Sequence, residues 1–389
     1  MIFMNVRKTY NLSDICRFVT SRTCNIENYI STENMLPNKG GITSPFNIPS
    51  GSAIAYQLGD VLISNIRPYF QKIWLANCDG ACSADVLCIR ANEKADSKYL
   101  YYLLSQQKFF DYVMSGAKGC KMPRGDKSQI MQWQISLPPL TEQKRIADIL
   151  SAIDDKIELN CRINANLEQQ AQALYKSWFV DNKKDDWKEV PLSEVADFVG
   201  GYSYKGNELV ESSMTAMATI KNFERKGGFK VDGFKDIVAS NKLKAEHHAN
   251  LFDILVAHTD LTQNADVIGN AEMLLTFDKY SDIIFSMDLV KVLPKQTFPY
   301  QYLLAALLKN PHFKKHCMGY VNGTTVLHMS KKALPEYVIN LPSVEEIQSM
   351  DNAFKAYYLK MAEILQENNS LSTLRDTLLP KLMSGEIKV

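Results

Sequence analysis

Residues 116–128, GAKGCKMPRGDKS, place four basic side chains among glycines and a proline. Lysine and arginine in such a loop hold phosphate oxygens, and the glycines let the backbone approach a polyanion closely. The same composition also suits a solvated basic loop that binds nothing, so both interpretations stay open. The candidates for nucleic-acid contact are Lys118, Lys121, Arg124 and Lys127, together with Arg67 after a predicted strand.

Two further stretches carry polar and aromatic side chains suited to a duplex. Residues 200–206, GGYSYKG, interleave two tyrosines and a lysine with glycines, and residues 322–332 combine Asn, Thr and Lys. Asn and Thr can contact adenine edges and thymine methyl groups. Both stretches are equally typical of turns. The candidates are Tyr202, Tyr204, Lys205, Asn322, Thr324, Thr325, Lys331 and Lys332.

Catalytic signatures are missing from the sequence. It has no G-x-x-x-x-G-K-[ST] phosphate loop, no H-E-x-x-H or G-x-S-x-G motif, and no Asn/Asp-Pro-Pro-aromatic tetrapeptide of the amino-methyltransferases. His312 and His316 are spaced i, i+4 but lack a third ligand, and the eight cysteines contain no C-x-x-C pair. We therefore expect a non-catalytic protein with reduced thiols, no metal and no cofactor.

Composition limits the class of protein further. The chain has 389 residues and 46% hydrophobic residues, enough for two domains. A net charge of +1 argues against a histone-like non-specific binder but allows local basic loops. No apolar run is long enough for a membrane span, and the first residues lack a signal-peptide core, so we expect a cytoplasmic protein.

A long amphipathic helix is predicted from Thr141, its expected N-cap, to Phe179, with Glu142 in the first turn. Apolar residues and two asparagines recur in steps of three and four, which is a heptad seam that needs a partner helix. The seam consists of Ile146, Leu150, Ile153, Ile157, Asn160, Asn164, Leu167, Ala171, Leu174 and Trp178.

The partner is predicted in the same chain, because residues 341–389 repeat the pattern at an offset of 341 − 137 = 204. Ser343 and Glu346 predict a capping box at its start. If the helices pair antiparallel about their centres, facing positions sum to 528, so Asn160 faces Asn368. The second seam consists of Met350, Phe354, Tyr357, Met361, Ile364, Asn368, Leu371, Arg375, Leu378 and Leu382.

The segments that precede the two helices also resemble each other. Leu12-Ser-Asp-Ile15 is similar to Leu192-Ser-Glu-Val195, and an Asp followed by an apolar run occurs after both Gly59 and Phe252. A helix is predicted over Ser97–Met114. The expected fold is α+β with an internal pseudo-two-fold repeat: globular units at 1–140 and 183–341, and long helices at 141–182 and 342–389 that form an antiparallel coiled coil.

This layout resembles the specificity (S) subunit of type I restriction–modification systems. The resemblance covers nearly the whole chain and rests on LPPLTEQKRIADIL, ALYKSWFVD, DTLLPKLMSGEIKV and the strand block GDVLISNIRPYFQKIWLANCDGACSADVLCIR. It is weakest at residues 20–55 and 203–250, where members of the family differ because these parts help to choose the DNA sequence.

The resemblance implies that the two globular units are target-recognition domains for a bipartite, asymmetric site in double-stranded DNA. The helices would set the gap between the two half-sites and dock two methyltransferase (modification) subunits, which restriction subunits join. The chain itself would be non-catalytic. Two alternatives stay open: a helical scaffold that does not bind DNA, and an enzyme such as a nuclease with an unrecognised site.

Overall fold

The computed structural model describes residues 7–45 and 47–389, so residues 1–6 of the predicted first domain and Phe46 lie outside the description. The chain forms two compact units. Unit 1 contains residues 1–157 and 371–389, and unit 2 contains residues 158–370. The two long helices each contribute one part to unit 1 and the other part to unit 2, as an internal repeat requires.

Unit 1 is a mixture of short strands and helices. Its elements are β1 (Lys8–Asn11), β2 (Cys16–Phe18), β3 (Arg22–Thr23), β4 (Ala53–Tyr56), β5 (Val61–Ser64), β6 (Ile73–Leu75), β7 (Gly80–Cys82), β8 (Val86–Ala91), α1 (Ser97–Leu104), α2 (Gln107–Ser115), α3 (Lys127–Met131), β9 (Gln134–Leu137) and the first part of α4 (Leu140–Lys176).

Unit 2 follows a similar order after the π-helical turn Ser177–Asp181 at the end of α4. Its elements are β10 (Lys188–Pro191), α5 (Leu192–Val195), β11 (Ala196–Gly200), β12 (Thr215–Ala218), β13 (Lys235–Asp236), β14 (Ile254–Ala257), β15 (Thr259–Asp260), β16 (Ala271–Met273), β17 (Asp282–Phe285), β18 (Leu289–Pro294), α6 (Gln301–Leu308), α7 (Pro311–Met318), β19 (Val321–Asn322), β20 (Leu327–Met329), α8 (Ala333–Glu336), β21 (Val338–Leu341) and the first part of α9 (Val344–Ser384).

Each unit contains a four-stranded antiparallel sheet of the same order, β2-β8-β5-β6 in unit 1 and β11-β18-β14-β16 in unit 2. The central strand is buried on both faces. In β5, Val61 and Ile63 belong to one hydrophobic cluster and Leu62 to another, because successive side chains point to opposite faces. Two covered faces explain why this strand is a continuous apolar run rather than an alternating pattern.

The second sheets differ between the units. In unit 1, β3-β4-β7 is antiparallel throughout, whereas in unit 2 β12 pairs antiparallel with β13 and parallel with β17. These sheets include strands from the stretches 20–55 and 203–250. The repeat therefore preserves the supporting sheet and varies the sheet beside it.

The first and last strands of each unit pair with each other. β1 pairs antiparallel with β9 from Lys8↔Leu137 to Asn11↔Gln134, and β10 pairs with β21 from Lys188↔Leu341 to Pro191↔Val338. The strands β9 and β21 and the starts of α4 and α9 differ by 204 residues. The offset found in the sequence is thus kept by the elements themselves.

The long helices pair antiparallel within each unit. In unit 1, Ile146 and Leu150 of α4 belong to the same cluster as Leu379 and Leu382 of α9. In unit 2, Trp178 packs edge-on against Phe354 with ring centroids 5.7 Å apart. Because the start of α4 meets the end of α9 in unit 1, while the opposite ends meet in unit 2, the predicted antiparallel pairing is confirmed.

Two predictions about helix boundaries are wrong. The predicted helix Ser97–Met114 is two helices, because the side chains of Ser105 and Gln106 donate to Tyr101 O and Leu103 O and end α1. Thr141 is not an N-cap, since α4 begins at Leu140. The capping box at the start of α9 is confirmed: Glu346 N donates to Ser343 Oγ, and Ser343 N donates to Glu346 Oε2.

No helix in residues 7–45 and 47–389 combines the length and the apolar character that a membrane span requires.

Candidate nucleic-acid interface

The basic loop of unit 1 is a tight hairpin. Lys118 and Arg124 exchange both backbone hydrogen bonds, at N···O distances of 3.0 and 2.9 Å. Gly119 has φ +101°, a conformation that glycine adopts without a steric penalty, so the chain can reverse direction here. The hairpin presents Lys118, Lys121 and Arg124 with exposed side chains.

Most of these cations already have weak partners. Lys118 Nζ lies 2.8 Å from Asp126 Oδ2, and Arg124 Nη2 lies 3.1 Å from Asp85 Oδ1. The hydrogen bond from Lys118 lowers the pKa of the Asp126 carboxyl, helped by the backbone N–H groups of Gln129 and Ser128. Exposed ion pairs of this kind contribute little to stability, so a phosphate can replace the carboxylate at little cost.

Lys121 and Lys127 complete the set. Lys121 is exposed, and no ion pair or hydrogen bond involves its side chain within the described part of the chain. Lys127 is exposed at the first position of α3, with its Nζ 5.9 Å from the centre of the Phe18 ring. The hairpin and the start of α3 therefore carry one uncommitted ammonium group, and the other three cations, the Lys118 and Lys127 ammonium groups and the Arg124 guanidinium, are only loosely held.

Arg67 is brought to the same hairpin. Its backbone N–H donates to Pro123 O at 2.8 Å, and the preceding Ile66 forms a bridge with Arg124. Arg67 has φ +51° and ψ +63°, a left-handed conformation that is unfavourable for an L-residue with a side chain. Its buried Nε has no hydrogen-bond partner in the described protein. All five unit 1 candidates thus lie on or beside one hairpin.

Unit 2 has a hairpin of the same construction, formed by β19 and β20 with Asn322 opposite His328. Gly323 has φ +115°, as Gly119 does in unit 1. Thr324 and Thr325 are exposed at the tip, and Thr324 O accepts a hydrogen bond from Gln263 Nε2 at 2.8 Å. Lys331 and Lys332 follow β20 and are exposed.

The two hairpins correspond residue by residue. Adding the offset of 204 maps Lys118 on Asn322, Gly119 on Gly323, Lys121 on Thr325 and Lys127 on Lys331. It also maps Arg124 on His328, an exposed residue that the candidate set omitted. The offset was visible in the sequence and identifies His328 once it is applied to the loop as well as to the helices.

Tyr202 was wrongly placed among the nucleic-acid candidates. Its ring is buried with Met217, Ile237 and Ile284, and its hydroxyl donates to Glu208 Oε1 at 2.8 Å. The glycines around it indicated a turn, but the structure uses the ring as a core residue. Its side chain is therefore unavailable to a duplex.

The other two candidates of this stretch lie nearer the surface. Tyr204 is half-buried, with Lys235 Nζ 5.4 Å from the centre of its ring, and Lys205 is exposed. Within the described residues no hydrogen bond or ion pair joins this stretch to the 322–332 hairpin. The structure therefore does not show these residues and the hairpin as one surface.

One carboxylate beside Tyr202, that of Glu208, has a lowered pKa. The pKa of Glu208 is lowered from 4.5 to about 2, first by the N–H of Lys205 and then by the Ser240 and Tyr202 side chains. The backbone N–H of Ser240 also donates to Glu208 Oε1 at 3.1 Å. Glu208 is thus the acceptor that fixes the 202–208 turn, which is a structural role.

Every residue predicted to pair in the helix seam and named below is buried or half-buried. In unit 2, Asn160 Nδ2 donates to Asn368 Oδ1 at 2.8 Å, as the antiparallel register predicted, and Asn164 Nδ2 donates to Met361 O at 3.4 Å. The residues are Ile146, Leu150, Ile153, Ile157, Asn160, Asn164, Leu167, Leu174, Phe354, Tyr357, Met361, Ile364, Asn368, Leu371 and Leu378.

Across the described ranges, no group of three or more His, Cys, Asp or Glu side chains could hold a metal ion. His316 Nε2 lies 2.8 Å from Ala333 O, which is an ordinary structural contact.

The chain is similar to known proteins over nearly its whole length. Residues 8–169 match the family model of the type I restriction modification DNA specificity domain. The type I restriction enzyme HindI specificity subunit of Haemophilus influenzae is 25% identical over 98% of this chain and 99% of that protein. The MjaVIII specificity subunit of Methanocaldococcus jannaschii is 25% identical over 93% of this chain and 86% of its own length.

Among solved structures, the type I restriction-modification S subunit from M. genitalium has a TM-score of 0.56 at 14% identity and covers 98% of both chains. This likeness concerns the fold.

Proposed function

We propose that the chain is a member of the family of type I restriction–modification specificity subunits and that each of its two units recognises one half of a bipartite DNA site. Subunits of this family are the non-catalytic DNA-recognition components of their systems. The observation that carries the proposal is the pair of exposed hairpins at equivalent positions, Lys118–Arg124 and Asn322–His328.

The chemistry of the two hairpins differs in a way that suits an asymmetric site. The unit 1 hairpin offers lysines and an arginine, which hold phosphates and, for arginine, guanine edges. The unit 2 hairpin offers Asn322, Thr324 and Thr325, which suit adenine edges and thymine methyl groups. Two non-identical units should therefore recognise two different half-sites.

The long helices supply the second half of the proposed function. The seam residues of the helices are buried or half-buried inside the units. The remaining faces are polar and exposed at positions such as Lys144, Asp148 and Gln366. We propose that these faces dock two modification subunits, which bring the methyltransferase active sites, and that restriction subunits join them. The proposed complex acts on cellular DNA and is cytoplasmic.

Methylation mapping of genomic DNA tests this function directly. Cells that carry the modification subunit, with and without this chain, should differ by one bipartite motif that is methylated at adenine only when the chain is present. The triple variant Lys118→Ala, Lys121→Ala, Arg124→Ala should lose the motif. It should remain folded, because all three side chains are exposed.

The alternative of a scaffold without DNA recognition predicts a different result. No motif would appear, and the purified chain would bind duplex DNA no better than the triple variant at physiological salt. Because phosphate contacts make binding salt-dependent, the comparison requires a salt titration of both proteins.

A further inference from the structure

An exposed aromatic pair lies beside the unit 1 hairpin. Tyr69 and Phe70 are 48% and 38% exposed, with ring centroids 4.7 Å apart. They occupy the turn that follows β5. Two adjacent exposed aromatic rings on a soluble protein mark a contact surface, since leaving them in water is unfavourable.

The backbone holds this pair in a fixed position. Arg67 and Gln71, on either side of the turn, both have left-handed conformations with φ +51° and +50°. Backbone hydrogen bonds fix it, from Asn38 N to Phe70 O at 2.8 Å and from Lys39 N to Gln71 O at 3.0 Å. Strained backbone maintained by such bonds is typical of a site whose side chains must point in one direction.

Unit 2 has an exposed apolar residue in the equivalent turn. Leu261 is 68% exposed and follows β14 and β15, as Tyr69 follows β5. The buried carboxylate of Asp260 fixes this turn by accepting hydrogen bonds from Thr262 N and Val267 N, each at 2.8 Å. The two apolar tips, Tyr69–Phe70 and Leu261, are therefore repeated features with different chemistry.

Both apolar tips are tied to the proposed DNA-binding hairpins. Arg67 N donates to Pro123 O in unit 1, and Gln263 Nε2 donates to Thr324 O in unit 2. Lys72 Nζ lies 6.0 Å from the centre of the Phe70 ring, so the aromatic tip has one cation beside it. A small apolar tip beside a hairpin of basic or polar side chains complements a base step between phosphates better than a broad apolar protein face.

We propose that the two apolar tips enter the duplex as wedges, each between two stacked base pairs of its half-site. The inference rests on the proposed function and deepens it. Apolar side chains inserted in this way unstack a base step and bend the duplex, and an aromatic ring replaces part of the lost stacking. Base steps that unstack easily are then preferred, so the tips contribute to sequence recognition without hydrogen bonds to bases.

The experiment uses the full chain and duplexes that the wild-type protein enriches from a random-sequence pool. Each adenine of an enriched duplex is replaced in turn by 2-aminopurine, whose fluorescence rises when it is unstacked. We expect a several-fold rise at one step in each half-site. The double variant Tyr69→Ala, Phe70→Ala should abolish the rise in one half, and Leu261→Ala should abolish it in the other, with binding about tenfold weaker.

Two exposed apolar residues away from the tips provide matched controls. Leu58→Ala in unit 1 and Val338→Ala in unit 2 remove side chains that are 66% and 47% exposed, and both should behave as wild type. Equal thermal midpoints for all variants would show that folding is unaffected.

The inference is overturned if the wild type enriches a duplex but no 2-aminopurine position responds, or if the tip variants respond as the wild type does. It is also overturned if these variants keep full DNA binding but no longer co-purify with a modification subunit, since the tips would then contact protein. If the wild type enriches no duplex, the proposed function itself fails, and this inference fails with it.

Discussion

The side chain of Tyr202 has an apolar environment at its ring and a polar environment at its hydroxyl. The ring packs in a hydrophobic cluster, while the hydroxyl meets Glu208 and Ser240. The sequence showed a tyrosine between glycines, and a residue type alone does not say on which side of a turn its side chain lies. The 202–208 turn is therefore a case where the nucleic-acid hypothesis was wrong because burial was not predictable.

Glu208 makes the stability of unit 2 depend on pH. Its folded pKa of about 2 lies below the ordinary 4.5, so Glu208 stabilises the folded state above pH 4.5, and this contribution is lost as the pH falls toward 2. The difference in free energy of unfolding between wild type and Glu208→Gln should therefore shrink on acidification. Urea titrations at several pH values measure it. The exposed Glu211→Gln is the matched control.

The Asn160–Asn368 pair should behave as a coupled unit. Asn160→Leu removes the 2.8 Å hydrogen bond and leaves the buried Asn368 amide without that donor, at a cost of about 1–3 kcal/mol. The double variant with Asn368→Leu should lose less than the sum of the single variants, with a coupling of about 0.5–3 kcal/mol. Urea unfolding of the four proteins gives the cycle, and strictly additive losses would contradict it.

Lys121 is the cation of the unit 1 hairpin whose side chain has no hydrogen bond or ion pair in the described part of the chain. Lys121→Ala should weaken DNA binding about equally for all sequences and lower the slope of log affinity against log salt by about 1. Fluorescence anisotropy with a labelled duplex at four salt concentrations measures both quantities. The control Lys144→Ala removes an exposed lysine from α4 and should leave the slope unchanged; an unchanged slope for Lys121→Ala would remove it from the interface.

On the scale of elements, the long helices were the most predictable part of the chain. Their seams repeat every three and four residues over ten positions, and no glycine or proline interrupts the first one. The break between α1 and α2 was not predictable, because it depends on Ser105 and Gln106 bonding back to carbonyl groups. These side-chain hydrogen bonds do not change the spacing of the apolar residues, so the sequence pattern did not indicate the break.

The two faces of α4 should respond differently to the same truncation. Ile146 is fully buried in the unit 1 core, whereas Ile149, three residues further on, is 38% exposed. Ile146→Ala should cost about 2–5 kcal/mol, because it leaves a cavity. Ile149→Ala should change the free energy of unfolding by less than about 0.5 kcal/mol. Equal losses in urea titrations would mean that the seam is misassigned.

For the whole molecule, the internal repeat predicted the architecture. The differences between the two units were not predictable from the sequence. The offset of 204 anticipated the matching long helices. It did not anticipate that β12 pairs in parallel with β17 whereas the second sheet of unit 1 is antiparallel throughout. Strand direction depends on long-range pairing, which the sequence of four-residue strands such as β12 and β17 does not show.

Because the proposal assigns one half-site to each unit, damage to one hairpin should relax only one half of the recognised motif. Lys121→Ala with Arg124→Ala should loosen the first half, and Asn322→Ala with Thr325→Ala should loosen the second. Sequencing of duplexes enriched by each variant measures base preference at every position. If either pair of substitutions relaxes both halves together, the assignment of one half-site to each unit is wrong.

The closure of each unit by its own first and last strands has a consequence for the gene. Because β1 pairs with β9 and β10 pairs with β21, everything between two partner strands begins and ends at the same edge of the unit. A stretch of codons between these strands can therefore be replaced as one cassette without altering the interlocking residues of the helices. Recombination at these points would then change the half-site that we propose for that unit and leave the residues of the paired helices as they are.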